Sequence, residues 1–155
     1  ATAEHAARPD GWGDMTELIF GKDDELAAWA EANYPECAPL ARPLTAIGVA
    51  SSAGEMLGVA IYHNFRQNDV EITFVTATPR WATSGNISAI LHYPFIQLGV
   101  QRMTAITAKA NKKARKLLTG LGFVLEGTHP YAHAGKTACT YGLYSETAQK
   151  WIKNG

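Results

Sequence analysis

Three parts of this chain carry residues that could do chemistry: a hydroxyl-rich loop, a carboxylate and an asparagine followed by cations. Arg80-Trp81-Ala82-Thr83-Ser84-Gly85-Asn86 lies between a β-branched run and an apolar run at helical spacing. The first amides of a helix have no intrahelical acceptors, and the helix dipole adds partial positive charge there. Such a stretch suits an anion such as pyrophosphate. Thr83 and Ser84 add hydroxyl donors and Arg80 a fork of N–H donors. An ordinary capped turn would have the same composition. Upstream, Glu71 begins the β-branched run. A carboxylate in a pocket that sheds water can take a proton, while one on an outer strand face is merely solvated. Downstream, Asn111 can cap a helix, and Lys112, Lys113, Arg115 and Lys116 offer cations to a phosphate or form a solvated helix face.

The elements that must position these groups follow from periodicity. Residues 17–20 read as a short strand. Asp23 or Asp24 is expected to cap a helix through Asn33, with Leu26, Trp29 and Ala30 inside. Pro35, Pro39 and Pro43 then exclude a long regular element. Residues 44–51, 56–65 and 70–78 are rich in Val, Ile, Phe and Thr and read as strands. The turns between them, at 52–55 and 66–69, make an antiparallel meander. A helix is expected over 86–98, kinked or restarted at Pro94 and stopped by Gly99. A strand at 103–108 completes a strand-helix-strand crossover, which requires parallel strands and a right-handed connection. The Asn111 helix, a strand from Phe123 and a strand over 137–144 follow.

Composition narrows the classes. The chain has 155 residues with 14 Lys and Arg against 14 Asp and Glu. That length fits one domain with a real core, and the charge balance favours neither nucleic acid nor an anionic membrane. Residues 1–14 read as a tail and 15–155 as a single domain. Cys37 and Cys139 define no disulfide framework, which points to a reducing cytoplasm. No apolar run approaches the roughly 20 residues that span a bilayer, and no signal peptide is legible. The fold class is therefore α/β (α+β): a mixed central sheet with an antiparallel meander, then a parallel unit, and helices on both faces.

The stretch Asn111 to Gly127 sharpens this. Asn111, Ala114 three residues on, the pair Leu117-Leu118, Gly122-Phe123 and Glu126-Gly127 fall in the register of the late acyl-CoA-binding segment of GNAT N-acetyltransferases. The chain resembles that family from about residue 44 to 144. His92-Tyr93-Pro94-Phe95 and the Leu-Gly-Phe-x-x-Glu-Gly pattern are similar to the subset that acetylates ribosomal-protein N-termini, and residues 78–95 to phage GNAT-like proteins. The resemblance implies acetyl-CoA as cofactor and an amine acceptor: a protein N-terminus, a lysine or a small amine. It implies that Val75, Thr76 and Ala77 lend strand backbone to the pantetheine arm, much like an added strand. Arg80, Trp81, Thr83, Ser84, Gly85 and Asn86 would form the pyrophosphate loop, with Asn111 on pantetheine and Arg115 or its basic neighbours on phosphate. Glu71 would be the general base, and an amide hydrogen of Val75 or Thr76 would polarise the thioester carbonyl.

Two positions depart from the family pattern. Thr83 stands where the loop's first glycine belongs, and Leu118 where many members carry a proton-donating tyrosine. Leucine cannot donate a proton. These departures admit a non-catalytic CoA-binding module as an alternative, and relatives that modify nucleic acid or a host protein supply another. Dimers are common among relatives, which admits a homodimer. His129 and His133 are spaced for zinc only on a helix, which Pro130 and Gly135 oppose. His63 reads as a surface or core residue, and Trp81 as a packing anchor for its loop more than a stacking platform.

Overall fold

The strand-forming runs condense into one seven-stranded sheet, in the order β1-β2-β3-β4-β5-β7-β6. The computed structural model describes residues 15–154, so the stretch read as a tail lies outside the described residues. The strands are β1 (Thr16–Ile19), β2 (Leu44–Ser51), β3 (Met56–His63), β4 (Asp69–Thr76), β5 (Arg102–Ala108), β6 (Val124–His133) and β7 (Lys136–Tyr144). The meander β2-β3-β4 is antiparallel as its short turns require. β4 and β5 pair in parallel across the crossover helix. β7 inserts between β5 and β6, antiparallel to both.

The helices are α1 (Asp23–Asn33), α2 (Ser84–His92), α3 (Lys112–Leu121) and α4 (Ser145–Asn154). α2 begins two residues before the expected start because Thr83 caps it, its Oγ1 accepting from the Asn86 amide at 3.1 Å. Pro94 does restart the turn: α2 ends at His92, and Tyr93–Gln97 forms a single π-helical turn closed by Leu98 N–H on the Tyr93 carbonyl. Gly99, at φ +71°, ends it. α3 is bracketed by its Asn111 cap and by Gly122 at φ +106°, where any other residue would be strained.

Two expectations need correction. Neither Asp23 nor Asp24 caps α1; Lys22 holds that position without a side-chain bond. Asp23 instead sits in the first turn, and its Oδ1 accepts from the Ala46 amide at 2.9 Å, tying α1 to β2. The terminal helix α4 went unforeseen, although Ala148, Trp151 and Ile152 mark an inner face at helical spacing.

Strand alternation splits the core in two. On one face Leu26, Ala27 and Ala30 of α1 pack on Ala46, Val59, Ile61 and Val75. On the other, Ile87 and Ile90 of α2, Leu118 and Leu121 of α3 and Ala148 of α4 pack on Ile72, Met103 and their neighbours. Among the described residues, no helix is long and apolar enough to cross a membrane.

Candidate active site

The β4-β5 ladder has four rungs, from Asp69↔Arg102 to Ile72↔Ala105. Beyond them β4 continues to Thr76 and β5 to Ala108 without pairing. The strands splay, and a cavity of about 780 Å³ opens between them.

Backbone alternation decides what β4 offers this cavity. The Ala77 amide donates to the Leu57 carbonyl of β3 at 2.9 Å. By the two-residue repeat, Val75 and Thr73 also turn their peptide groups to β3, opposite Val59 and Ile61. Phe74 and Thr76 therefore carry the donors and acceptors that β5 leaves unpaired. Of the two amides expected to polarise a carbonyl, that of Thr76 faces the cleft and that of Val75 does not.

The cavity has unlike walls. On the helical face it is apolar, with Ile72, Phe74, Ile87, Leu118, Leu121 and Trp151. Trp151 is fixed by its Nε1–H, which donates to the Leu121 carbonyl at 2.8 Å. On the α1 face it is more polar, with Thr73, Asn33, Tyr34 and Asn111 beside Ile106. Val75, Thr76, Ala77, Trp81 and Asn111 thus line the cavity, while Glu71, Arg80, Thr83, Ser84, Gly85, Asn86 and Arg115 stand outside its lining.

The loop residues divide by role. Trp81 is 3% exposed, and its ring lies 5.6 Å from that of Phe74, so it anchors the loop by packing. Asn86 is buried and turned inward, its Nδ2 donating to Thr16 Oγ1 at 2.7 Å and to the Trp81 carbonyl at 2.8 Å. Its side chain holds β1 to the loop. Arg80 Nη1 is 3.7 Å from Glu55 Oε1 on the β2-β3 turn. Ser84 and Gly85 are exposed on the first turn of α2, and a Cβ on Gly85 would meet nothing within 4 Å. Thr83 directs its oxygen into the helix cap, so its side chain is committed to the fold.

Asn111 caps α3, its Oδ1 accepting from the Ala114 amide at 3.1 Å. Tyr34, at the end of α1, brings its hydroxyl to 3.4 Å from His133 Nε2. Burial raises the Tyr34 pKa, with the Glu36 carboxylate adding and the Asn111 amide opposing. Arg115 turns away from the cleft: its Nε donates to the Tyr141 hydroxyl at 2.8 Å and its Nη1 to the Lys109 carbonyl at 3.2 Å.

Glu71 lies behind Thr73 on the α1 face. It accepts from Asn64 Nδ2 at 3.1 Å, and its other oxygen is 3.7 Å from His63 Nε2. His63 is buried, and the same Nε2 is 2.9 Å from Thr73 Oγ1. Burial lowers the His63 pKa, and Glu71 works against that shift. Thr73 and Tyr34 carry no local signal in the sequence, and His63 was expected only as a surface or core residue. The pairing of His63 with Glu71 across β3 and β4 was the available signal, because residues opposite one another in a meander share a face.

At the zipped end a charged cluster replaces the cavity. Arg102 grips Glu126 with Nη1 at 3.0 Å and Nη2 at 2.6 Å, and its Nε is 3.5 Å from Asp69 Oδ1. The Tyr144 hydroxyl also donates to Glu126, at 2.6 Å. Hydrogen bonds from Arg102 and then Tyr144 hold the Glu126 carboxyl below the usual range. Glu126 also occupies the space beside Gly142, where a Cβ would come within 2.6 Å of Oε2.

No protein-family model matches this sequence, and no curated protein matches it. Solved structures do. A mutant form of the spermidine/spermine N-acetyltransferase SpeG from Vibrio cholerae superposes with a TM-score of 0.66 at 14% identity, over 87% of this chain and 96% of that one. An acetyltransferase of the GNAT family from Bacillus anthracis gives a TM-score of 0.54 at 19% identity, over 65% of this chain. This chain spans 66% of that protein's length. A protein of T. thermophilus assigned as an acetyltransferase gives 0.62 at 15% identity, over 74% of this chain and 65% of its own. The mixed seven-stranded sheet, antiparallel but for one parallel pair among the described residues, has the fold of these GNAT acetyltransferases.

Proposed function

We propose that the chain is an acyl-CoA-dependent N-acetyltransferase that moves an acetyl group from acetyl-CoA to an amine. The observation that carries this reading is the β4-β5 ladder, which stops after four rungs and gives way to a cavity bordered by unpaired strand backbone. Pantetheine is a flexible arm with two amides. Phe74 and Thr76 offer it the hydrogen bonds that a continued ladder would have used. The exposed first turn of α2 would face the diphosphate, with Ser84 and Gly85 supplying amides. Asn111 and the lysines of α3 lie on the same side as the nucleotide would.

The acetyl end then sits where the strands part, between the apolar helical wall and the polar α1 wall. The acceptor enters from the polar side, past Tyr34 and Asn33. Glu71, reached through one water, is the base that neutralises an arriving ammonium group, and the Thr76 amide polarises the carbonyl. Holding thioester and amine in line supplies much of the rate. A protein N-terminus, a lysine and a small amine all fit an opening bordered by asparagine, tyrosine and threonine.

A thermal-shift titration with acetyl-CoA, followed by acetyl transfer to a panel of α-amino peptides, lysyl peptides and polyamines, tests the reading. A ligand held only by the native state at a hundred times its Kd adds about 2.7 kcal/mol of apparent stability. A rise in Tm with turnover of one amine class is expected. A rise without turnover of any class would favour a CoA-binding module, and no rise would remove the reading.

A further inference from the structure

Thr73 is the first residue of β4 beyond the last rung, and its side chain lines the cavity at the point where the strands part. Its Oγ1 is 2.9 Å from His63 Nε2. Asn64 settles which of the two donates. Asn64 Nδ2 is 3.1 Å from Glu71 Oε1 and 3.3 Å from His63 Nδ1. An ionised carboxylate only accepts, so the group facing it is the amide NH₂, and that same NH₂ requires a bare Nδ1. His63 is then neutral with its proton on Nε2, which it donates to Thr73. One lone pair of the threonine oxygen is taken. Its hydrogen and its second lone pair remain for whatever occupies the parting point.

We propose that Thr73 is the proton shuttle of acyl transfer, with His63 as its positioning residue; this rests on the acyl-CoA reading above. The amine nitrogen bonds to the acyl carbon, and the carbon–sulfur bond breaks with its electron pair on sulfur. Sulfur takes the hydroxyl proton of Thr73 while Thr73 Oγ1 takes a proton from nitrogen. The exchange closes on itself and needs no other acid. Thr76, Thr78 and Thr107 also line the cavity, but the imidazole contact falls on Thr73. Leu118 has no proton to give. No carboxylate or imidazole is among the described side chains lining the cavity. The Tyr34 hydroxyl is engaged toward His133 and Asn111, beyond the far end of β5.

The test needs no knowledge of the acceptor. Calorimetric titrations at pH 9 compare CoA, part of whose thiol is then ionised, with desulfo-CoA, which has hydrogen in place of the thiol. Thr73→Val should weaken CoA about tenfold, the loss expected for one hydrogen bond to a charged atom, and leave desulfo-CoA unchanged. Thr73→Ser should restore the difference. His63→Leu should remove the preference for CoA as Thr73→Val does, whereas His63→Gln, which keeps a side-chain N–H donor, should retain it. An equal effect of Thr73→Val on both ligands, or an effect on neither, overturns the proposal. Wild-type protein that binds neither ligand would instead overturn the acyl-CoA reading, and the shuttle with it.

Discussion

The two ends of the β4-β5 pair are built from opposite materials. At the start, four rungs are backed by a charged clasp in which Arg102 of β5 joins Asp69 of β4 to Glu126 of β6, and Tyr144 of β7 closes on the same carboxylate. At the far end the rungs are missing, and aromatic and aliphatic side chains from α2, α3 and α4 stand in for them. Directional bonds fix the register where the strands must not slip. Non-directional packing takes over where the strands part, because an apolar wall constrains shape without claiming the backbone groups of the strand. A wedge of this kind requires both.

The comparison breaks most visibly at Trp81. Trp81→Ala removes a buried aromatic that props the loop against Phe74 and should cost about 3–5 kcal/mol, read as a fall in denaturation midpoint. A loss below 1 kcal/mol would mean the open end is held by something other than packing. Glu71→Gln should lower turnover on the accepted amine roughly a hundredfold while sparing the Kd for acetyl-CoA. An unchanged rate across pH would place the base elsewhere. Arg102→Met removes the clasp but keeps the apolar stem, and should cost about 1 kcal/mol, shrinking further in high salt. If acetyl-CoA affinity falls more than stability, the clasp sets the angle of the wedge as well as its register.

The smallest effect concerns pH. The buried His63 has a folded pKa below its unfolded one. As pH falls below about 6.5 the unfolded chain takes up a proton that the folded chain refuses, so stability drops with acid until the folded pKa is passed. His63→Gln should flatten the Tm decline between pH 7.5 and 5.5. An unaltered slope would assign the acid sensitivity to other groups.

Most of the fold was legible because it rests on local signals. The strand β2 falls on its expected bounds, and the Asn111 and Gly122 boundaries of α3 are set by a cap and a left-handed glycine within the segment itself. The loop from Arg80 was legible as a helix start, yet the fate of each side chain was not. Asn86 faces inward because Thr16, seventy residues earlier, supplies a hydroxyl there, and no local pattern announces such a partner. The same limit hid the polar cluster. His63 looked ordinary until the meander placed it opposite Glu71 and beside Thr73. The Asp23 cap failed for a related reason, since the Ala46 amide of a distant strand took its carboxylate.

The position of β7 carries one more consequence. β5 takes β4 as one neighbour but waits for its second until residues 136–144 have been made, and Trp151 arrives later still to close the back of the cavity. During synthesis on the ribosome, one edge of β5 stays bare while the intervening helix and β6 emerge. Competence to hold a ligand should therefore appear abruptly, once residues 136–151 have emerged, and not grow with chain length.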